Sequence, residues 1–180
     1  GTGKTKSLQI IAEQLSLKGV PTLLMDIKGD LSGIGAPANV NDVNAAERMK
    51  SLNLPFDPQA SPVEFLSISD EPGARLRATV EDFGPILFSK ILELNETQES
   101  IISIIFKYCE DKKLPLIDLE DIRRVLQYVT DSPEGKLELN SNYGTIAPAS
   151  LGAILRKIVG LEQQGASKFF GEPSFDVQDL

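Results

Sequence analysis

The sequence predicts an α/β fold to which a helical subdomain has been added, either inserted or appended. The chain opens with the segment Gly1-Thr2-Gly3-Lys4-Thr5, which runs into an amphipathic stretch. A short apolar run at residues 20–25 follows, as expected of a parallel strand that is covered on both faces. From residue 83 onward the apolar residues recur at helical spacing instead.

The amphipathic stretch at residues 5–18 predicts the first helix. Its apolar residues recur at the spacing of one helix face, which we expect to pack on a sheet. These residues are Leu8, Ile11, Ala12 and Leu15. Gly19 is a stop signal for this helix. A preceding strand, this helix and a returning parallel strand would form a right-handed crossover unit.

The opening pentapeptide matches the second half of the P-loop pattern G-x-x-x-x-G-K-[ST], whose first glycine would precede residue 1. In such a loop Gly3 permits a close approach of the backbone to phosphates, Lys4 reaches the β- and γ-phosphates, and the Thr5 hydroxyl binds Mg²⁺. We therefore expect ATP and Mg²⁺ as ligands and Lys4 as the catalytic residue. The alternative is a chance turn at the start of a helix. The predicted nucleotide-binding residues are Gly1, Thr2, Gly3, Lys4, Thr5 and Lys6.

A loop with two carboxylates follows the predicted strand, at the edge where open α/β sheets bind ligands. Its candidate site residues are Asp26, Lys28 and Asp30. Asp26 is interpreted in three ways: as a metal-binding carboxylate of Walker B type, as an accessory residue that organises the site or senses nucleotide together with Asp30, or as the acceptor of a turn that caps the strand.

Two further short strands are predicted at residues 63–68 and 76–80. The turn at residues 70–73, which contains Pro and Gly, would join them as a β-hairpin. Arg75 and Arg77 lie near the second strand. Either could be an arginine finger, although solvated charges on an edge strand are the more common use of such residues.

The rest of the chain predicts helices and sets the predicted domain limits. Asn95 begins a capping box, Asp118 caps the next helix, and Pro148 opens the last one, while residues 132–145 are expected to form a loop. The predicted division is 1–82 for the N-terminal part of the ATPase core, 83–165 for the helical subdomain, and 166–180 for a return toward the core.

Composition excludes several classes of function. The net charge of −8 argues against a generally basic surface for nucleic acid. With no histidine, Ser/His and Cys/His catalytic pairs are impossible, and the single cysteine, Cys109, cannot form an internal disulfide. No apolar run is long enough for a membrane span and no signal peptide is visible, so a cytoplasmic location without membrane contact is expected. The incomplete motif and the missing initiator methionine suggest a piece of a longer protein.

Several segments together resemble the bacterial HerA-like helicase/ATPase family, which was formerly listed as a domain of unknown function and belongs to the FtsK/HerA group of P-loop NTPases. The resemblance rests on residues 1–5 with Leu8 and Gln9, and on residues 26–33, 76–80, 94–99 and 168–173. It implies a RecA-like ATPase of the ASCE class that forms rings, often hexamers, and acts as a helicase or DNA translocase. It also implies that Asp26 is an accessory residue and that the Walker B carboxylates lie beyond Leu180.

The leading hypothesis is therefore an ATP-binding part of a ring-shaped motor that moves along DNA, and that would be inactive by itself. Two other classes of function stay open. One is a nucleotide-dependent switch or kinase-like phosphotransferase in which Asp26 binds the metal. The other is a non-catalytic scaffold whose P-loop is vestigial.

Overall fold

A computed structural model describes residues 3–68 and 70–174 of the chain. These residues form two compact units, one that ends at Glu64 and one that begins at Phe65. The regular secondary structure of the described residues comprises seven α-helices, two strands of two residues each and two short 3₁₀ turns. This part of the chain is therefore mostly helical.

The first unit contains two helices, α1 (Lys4–Ser16) and α2 (Val43–Ser51), with a 3₁₀ turn at Ser32–Gly35 between them. Gly19 closes the end of α1 in a left-handed conformation, and the N–H group of the next residue donates to the Leu15 carbonyl at 3.0 Å. The predicted first helix and its glycine stop are thus confirmed. The Asp42 carboxylate caps α2 by accepting from the N–H group of Ala45.

The predicted α/β P-loop core is wrong for the residues described. Residues 20–25 form no strand, and the side chains of Leu23 and Met25 are 73% and 88% exposed. A strand is stable only when its backbone groups pair with a neighbouring strand, and within the described residues this segment has no such partner. The result is a helical chain in place of a RecA-like sheet.

The apolar face of α1 is also placed differently from the prediction. The buried residues of this helix are Gln9 and Ala12, whereas Leu8 and Ile11 are 51% and 56% exposed. Of the predicted stripe Ala12 is buried, but Leu8 and Ile11 stay exposed, since the described residues of this unit contain no sheet that could cover them. The helix instead buries a narrower face, which begins with a polar residue.

The second unit opens with the strands β1 (Leu66–Ser67) and β2 (Ala74–Arg75), which pair in parallel. The predicted β-hairpin is therefore wrong, because a hairpin pairs its strands antiparallel. At Gly73, directly before β2, a Cβ atom would lie 2.6 Å from the carbonyl oxygen of Phe65. Only glycine allows the backbone to pass this close to the start of β1.

Five helices complete this unit, and most begin at a side-chain cap. Capping boxes, in which two side chains three residues apart bond each other's backbone N–H groups, open the first three helices at Thr79, Asn95 and Asp118. The caps predicted at Asn95 and Asp118 are confirmed. The helices are α3 (Val80–Ile91), α4 (Glu96–Lys112), α5 (Leu119–Asp131), α6 (Pro133–Tyr143) and α7 (Pro148–Gln163).

Helix α6 occupies the segment predicted as a loop. Ser132 caps it through its hydroxyl group, and Pro133 takes the first helical position, where the missing N–H group costs nothing. The segment shows no regular apolar period, but Leu139 is buried in the core. Packing against α5 therefore determines this helix more than its own sequence pattern does.

The core of the second unit lies between its helices. Its fully buried side chains include Phe88, Ile102, Ile105, Ile122, Ile154 and Ile158. Phe170 joins this core from the end of the described chain, after the 3₁₀ turn Ala166–Lys168. It also forms a parallel β-bridge with Ala78, which ties that segment to the chain directly before α3.

Among the described residues, no single helix is long and apolar enough to cross a membrane. Helices α6 and α7 meet the length and composition test only as a pair, and they are bent by 107° relative to each other.

Candidate nucleotide-binding site

The described part of the predicted phosphate loop is the start of α1. Gly3 lies directly before the helix in a left-handed conformation, with φ at +74°, and Lys4 is the first helical residue. The N–H and hydroxyl groups of Ser7 both donate to the Gly3 carbonyl, at 3.0 and 3.1 Å. Gly1 and Thr2 lie outside the described residues.

The N-terminal end of α1 is suited to an anion. No side chain caps it, and its first turn contains no acidic residue. Its first N–H groups therefore have no partner in the helix, and the helix dipole places partial positive charge there. Lys4, Thr5 and Lys6 are all exposed at this end, and neither lysine forms an ion pair within residues 3–68 and 70–174.

The Asp26 carboxylate organises the loop that follows it. Its two oxygens accept hydrogen bonds from the N–H groups of Leu31 at 2.7 Å and Lys28 at 3.3 Å. Partial desolvation raises the pKa of Asp26, but the N–H donors of the loop together outweigh it and lower the pKa below its usual value. These hydrogen bonds match the turn interpretation of Asp26, in which its carboxylate accepts backbone N–H groups that follow it in the chain.

The side chains of Lys28 and Asp30 are exposed, but the backbone of Asp30 makes a contact with α1. Its carbonyl oxygen accepts a hydrogen bond from the side-chain amide of Gln9 at 3.0 Å. Since a carbonyl can only accept, the nitrogen of the amide must face it. The structure therefore joins α1 to the loop at residues 26–33 through Gln9.

Gln9 was not among the predicted site residues. The amphipathic pattern assigns it to the polar face of α1, where a glutamine is expected to point into solvent. Its spacing of four residues from Thr5 was visible in the sequence, and this spacing places both residues on one face of the helix. The sequence contains no signal, however, that this face is the buried one.

Arg75 and Arg77 lie in the second unit. The guanidinium group of Arg75 is 3.8 Å from the carboxylate of Asp70, which also pairs with Lys168. The hydrogen bond and charge of Lys168, followed by the charge of Arg75, lower the pKa of Asp70. The stem of Arg77 lies against Gly171, and its side chain is exposed. The role of either residue as an arginine finger stays a prediction.

No group of three or more Cys, Asp or Glu side chains within residues 3–68 and 70–174 could hold a metal ion. A protein-built metal centre is thus not part of the described structure. The predicted Mg²⁺ contact of Thr5 is of a different kind, because a P-loop hydroxyl shares its ion with the phosphates of the nucleotide.

Comparison with known proteins adds one match. A protein-family model described as "Helicase HerA-like C-terminal" matches residues 1–180. No curated protein and no solved structure matches the chain.

Proposed function

This chain belongs to the helicase HerA-like C-terminal family, as its motifs predicted, and from that membership we propose that residues 1–5 and the start of α1 bind ATP with Mg²⁺. The observation that carries the proposal is the uncapped N-terminal end of α1, directly after the left-handed Gly3. Backbone N–H groups in this arrangement bind phosphate groups.

The residues present fit the triphosphate of ATP. Lys4 would hold the β- and γ-phosphates as a point charge, and the N–H groups of the first turn would surround them. The Thr5 hydroxyl would bind Mg²⁺. When bound, ATP supplies a phosphoanhydride bond whose hydrolysis releases free energy. The contribution of this chain is to position and neutralise the phosphates, which accounts for most of the catalysis in phosphoryl transfer.

We further propose that the whole protein uses this energy for DNA translocation or unwinding as a homo-oligomeric, hexameric ring in the cytoplasm. Family membership supports this step. The net charge of −8 on these 180 residues means that a contact with DNA through them would need a local basic surface. Of the two predicted arginines, Arg77 is the better candidate for a residue that acts in trans, since Arg75 already pairs with Asp70.

The alternative of a switch or phosphotransferase has less support. It requires Asp26 to bind the metal, whereas the hydrogen bonds of its carboxylate to the N–H groups of Lys28 and Leu31 match the turn interpretation. The scaffold alternative requires that the N-terminal end of α1 bind no nucleotide. A binding experiment therefore decides between the scaffold and the ATP-binding protein.

The test is a calorimetric titration of the chain with a non-hydrolysable ATP analogue and Mg²⁺. Replacing Lys4 by Ala should weaken binding by about 10- to 100-fold, because a hydrogen bond to a charged group contributes about 1.5–3 kcal/mol. Lys18→Ala is the matched control, since Lys18 is also exposed but follows the other end of α1. Equal affinity of both variants, or no binding by the unmodified chain, would refute the proposed site.

Turnover by the full-length protein tests the role in DNA translocation. We expect ATP hydrolysis that DNA stimulates and that Lys4→Ala abolishes. Transfer of phosphate to a small acceptor without DNA dependence would instead support the phosphotransferase.

A further inference from the structure

Gln9 is a buried polar residue in the first unit. Its side chain is only 8% exposed, and its amide nitrogen donates to the carbonyl oxygen of Asp30, 21 positions further along the chain. A buried amide without a partner costs free energy, so this hydrogen bond is needed to keep Gln9 buried. The contact is therefore a specific link between α1 and the loop at residues 26–33.

The link begins close to the proposed phosphate site. Gln9 follows Thr5 by four residues, which places it on the same face of α1 and about 6 Å further along the helix axis. Ala12, three residues further on, is the other buried residue of this face. The face that begins at the phosphate end is thus also the face that contacts the rest of the unit.

The receiving loop is held together by its own hydrogen bonds. The Asp26 carboxylate accepts from the N–H group of Leu31, and the Ser32 hydroxyl donates to the Gly29 carbonyl at 2.8 Å. Leu31, next to Asp30, is 8% exposed. A displacement of the Asp30 carbonyl would therefore involve the whole loop and not one peptide group.

We propose that Gln9 is a positioning residue that transmits nucleotide occupancy at residues 3–5 to the loop at residues 26–33. The proposal rests on the proposed function, since it needs a nucleotide at the start of α1. Phosphate bound there orders the first turn of the helix, and Gln9 extends this ordering to the Asp30 carbonyl. Ligand binding at one end then reduces the opening of the loop at the other.

Hydrogen–deuterium exchange of the chain, read by mass spectrometry, tests this inference. The probe is a non-hydrolysable ATP analogue with Mg²⁺, at concentrations that saturate the response of residues 3–10. We expect slower exchange both in residues 3–10 and in residues 26–33 of the unmodified chain. Gln9→Met keeps the side-chain length but has no N–H donor. In this variant we expect the analogue to slow exchange only in residues 3–10.

Two further variants complete the design. Gln9→Glu keeps the shape but replaces the donor by a carboxylate, so it should behave like Gln9→Met. Gln14→Met is the matched control, because Gln14 is an exposed glutamine on the same helix, and it should leave both responses intact.

The outcomes separate the two proposals. If the unmodified chain shows no response to the analogue anywhere, the proposed function fails. If residues 3–10 respond but residues 26–33 do not, binding stands and the link is refuted. The link is also refuted if the analogue still slows exchange of residues 26–33 in Gln9→Met and Gln9→Glu. It is refuted as well if the analogue cannot saturate the response of residues 3–10 in these variants, because Gln9 would then belong to the binding site itself.

Discussion

Gly135 in α6 lies directly against Tyr128 in α5. A Cβ atom on Gly135 would be 2.5 Å from the Tyr128 carbonyl oxygen and 2.9 Å from Cε1 of its ring. The two helices meet after a turn at Ser132, whose N–H group also donates to the Tyr128 carbonyl. The absence of a side chain at Gly135 is therefore a condition for the close packing of α5 and α6.

Replacing Gly135 by Ala should lower the free energy of unfolding by about 1–3 kcal/mol, because the added methyl group must push backbone and ring apart. Urea unfolding followed by circular dichroism measures this change. Gly160→Ala is the control. Gly160 lies inside α7, and apart from its chain neighbours and the backbone of its own helix no atom lies within 4 Å of its Cβ position. Alanine there should stabilise the protein by about 0.5–1 kcal/mol. Equal effects of the two substitutions would contradict the packing described.

Phe170 should be essential to the core of the second unit, although it comes close to the end of the described chain. The centroid of its ring lies 5.2 Å from that of Phe83 and 5.9 Å from that of Phe88, and both contacts are edge-to-face. Phe170 is only 4% exposed. Phe170→Ala should cost about 3–5 kcal/mol of stability. Leu137→Ala, at a side chain 70% exposed, should change it by less than about 0.5 kcal/mol. Thermal unfolding of both variants measures the difference, and a Phe170→Ala protein as stable as Leu137→Ala would show that Phe170 is not part of the core.

Stability should decrease in acid through carboxylates such as Glu138. Its pKa lies below the usual value of 4.5 because Lys112 and then the Tyr108 hydroxyl, at 2.8 Å, donate to it. A lowered folded-state pKa means that the unfolded chain binds the proton more tightly. The stabilisation is therefore complete above about pH 4.5 and is lost as the pH falls through the folded-state value.

Glu138→Gln should accordingly show a shallower loss of stability below pH 4.5 than the unmodified chain. Urea midpoints measured across this range test the expectation. Glu172→Gln serves as the control, because Glu172 is exposed and outside every ion pair of the described residues. If the urea midpoints of the two variants depend on pH in the same way, the ionised Glu138 carboxylate does not provide this stabilisation.

The thiol of Cys109 should react slowly in the folded protein. Its side chain is 2% exposed, and burial, followed by the negative charges of Glu81 and Asp121, raises its pKa to about 12. Because the thiolate is the reactive form, alkylation at pH 8 should be slower than in urea by at least about 100-fold. A second, exposed thiol introduced by Leu137→Cys should react at the rate of a free cysteine. Fast alkylation of Cys109 without denaturant would show that α4 opens readily.

Much of the helical structure was predictable because helix starts depend on residues close together in the sequence. The capping boxes at Asn95 and Asp118 each involve two side chains three positions apart. The start of α1 after Gly3 is similarly local, and so is the turn that the Asp26 carboxylate stabilises. The family could be recognised for the same reason, since its motifs are short and contiguous.

The remaining features depend on partners that are distant in the chain. Whether residues 20–25 form a strand depends on a neighbouring strand, and the parallel pairing of β1 and β2 depends on their register and on the close approach at Gly73. The burial of Gln9 likewise depends on a carbonyl group 21 positions away. By itself the sequence determined where α1, α4 and α5 begin, because the signals that start these helices lie within a few residues of each other. The tertiary structure alone decided which helix faces are buried and which strands pair, because burial and pairing are properties of contacts between segments and not of any one segment.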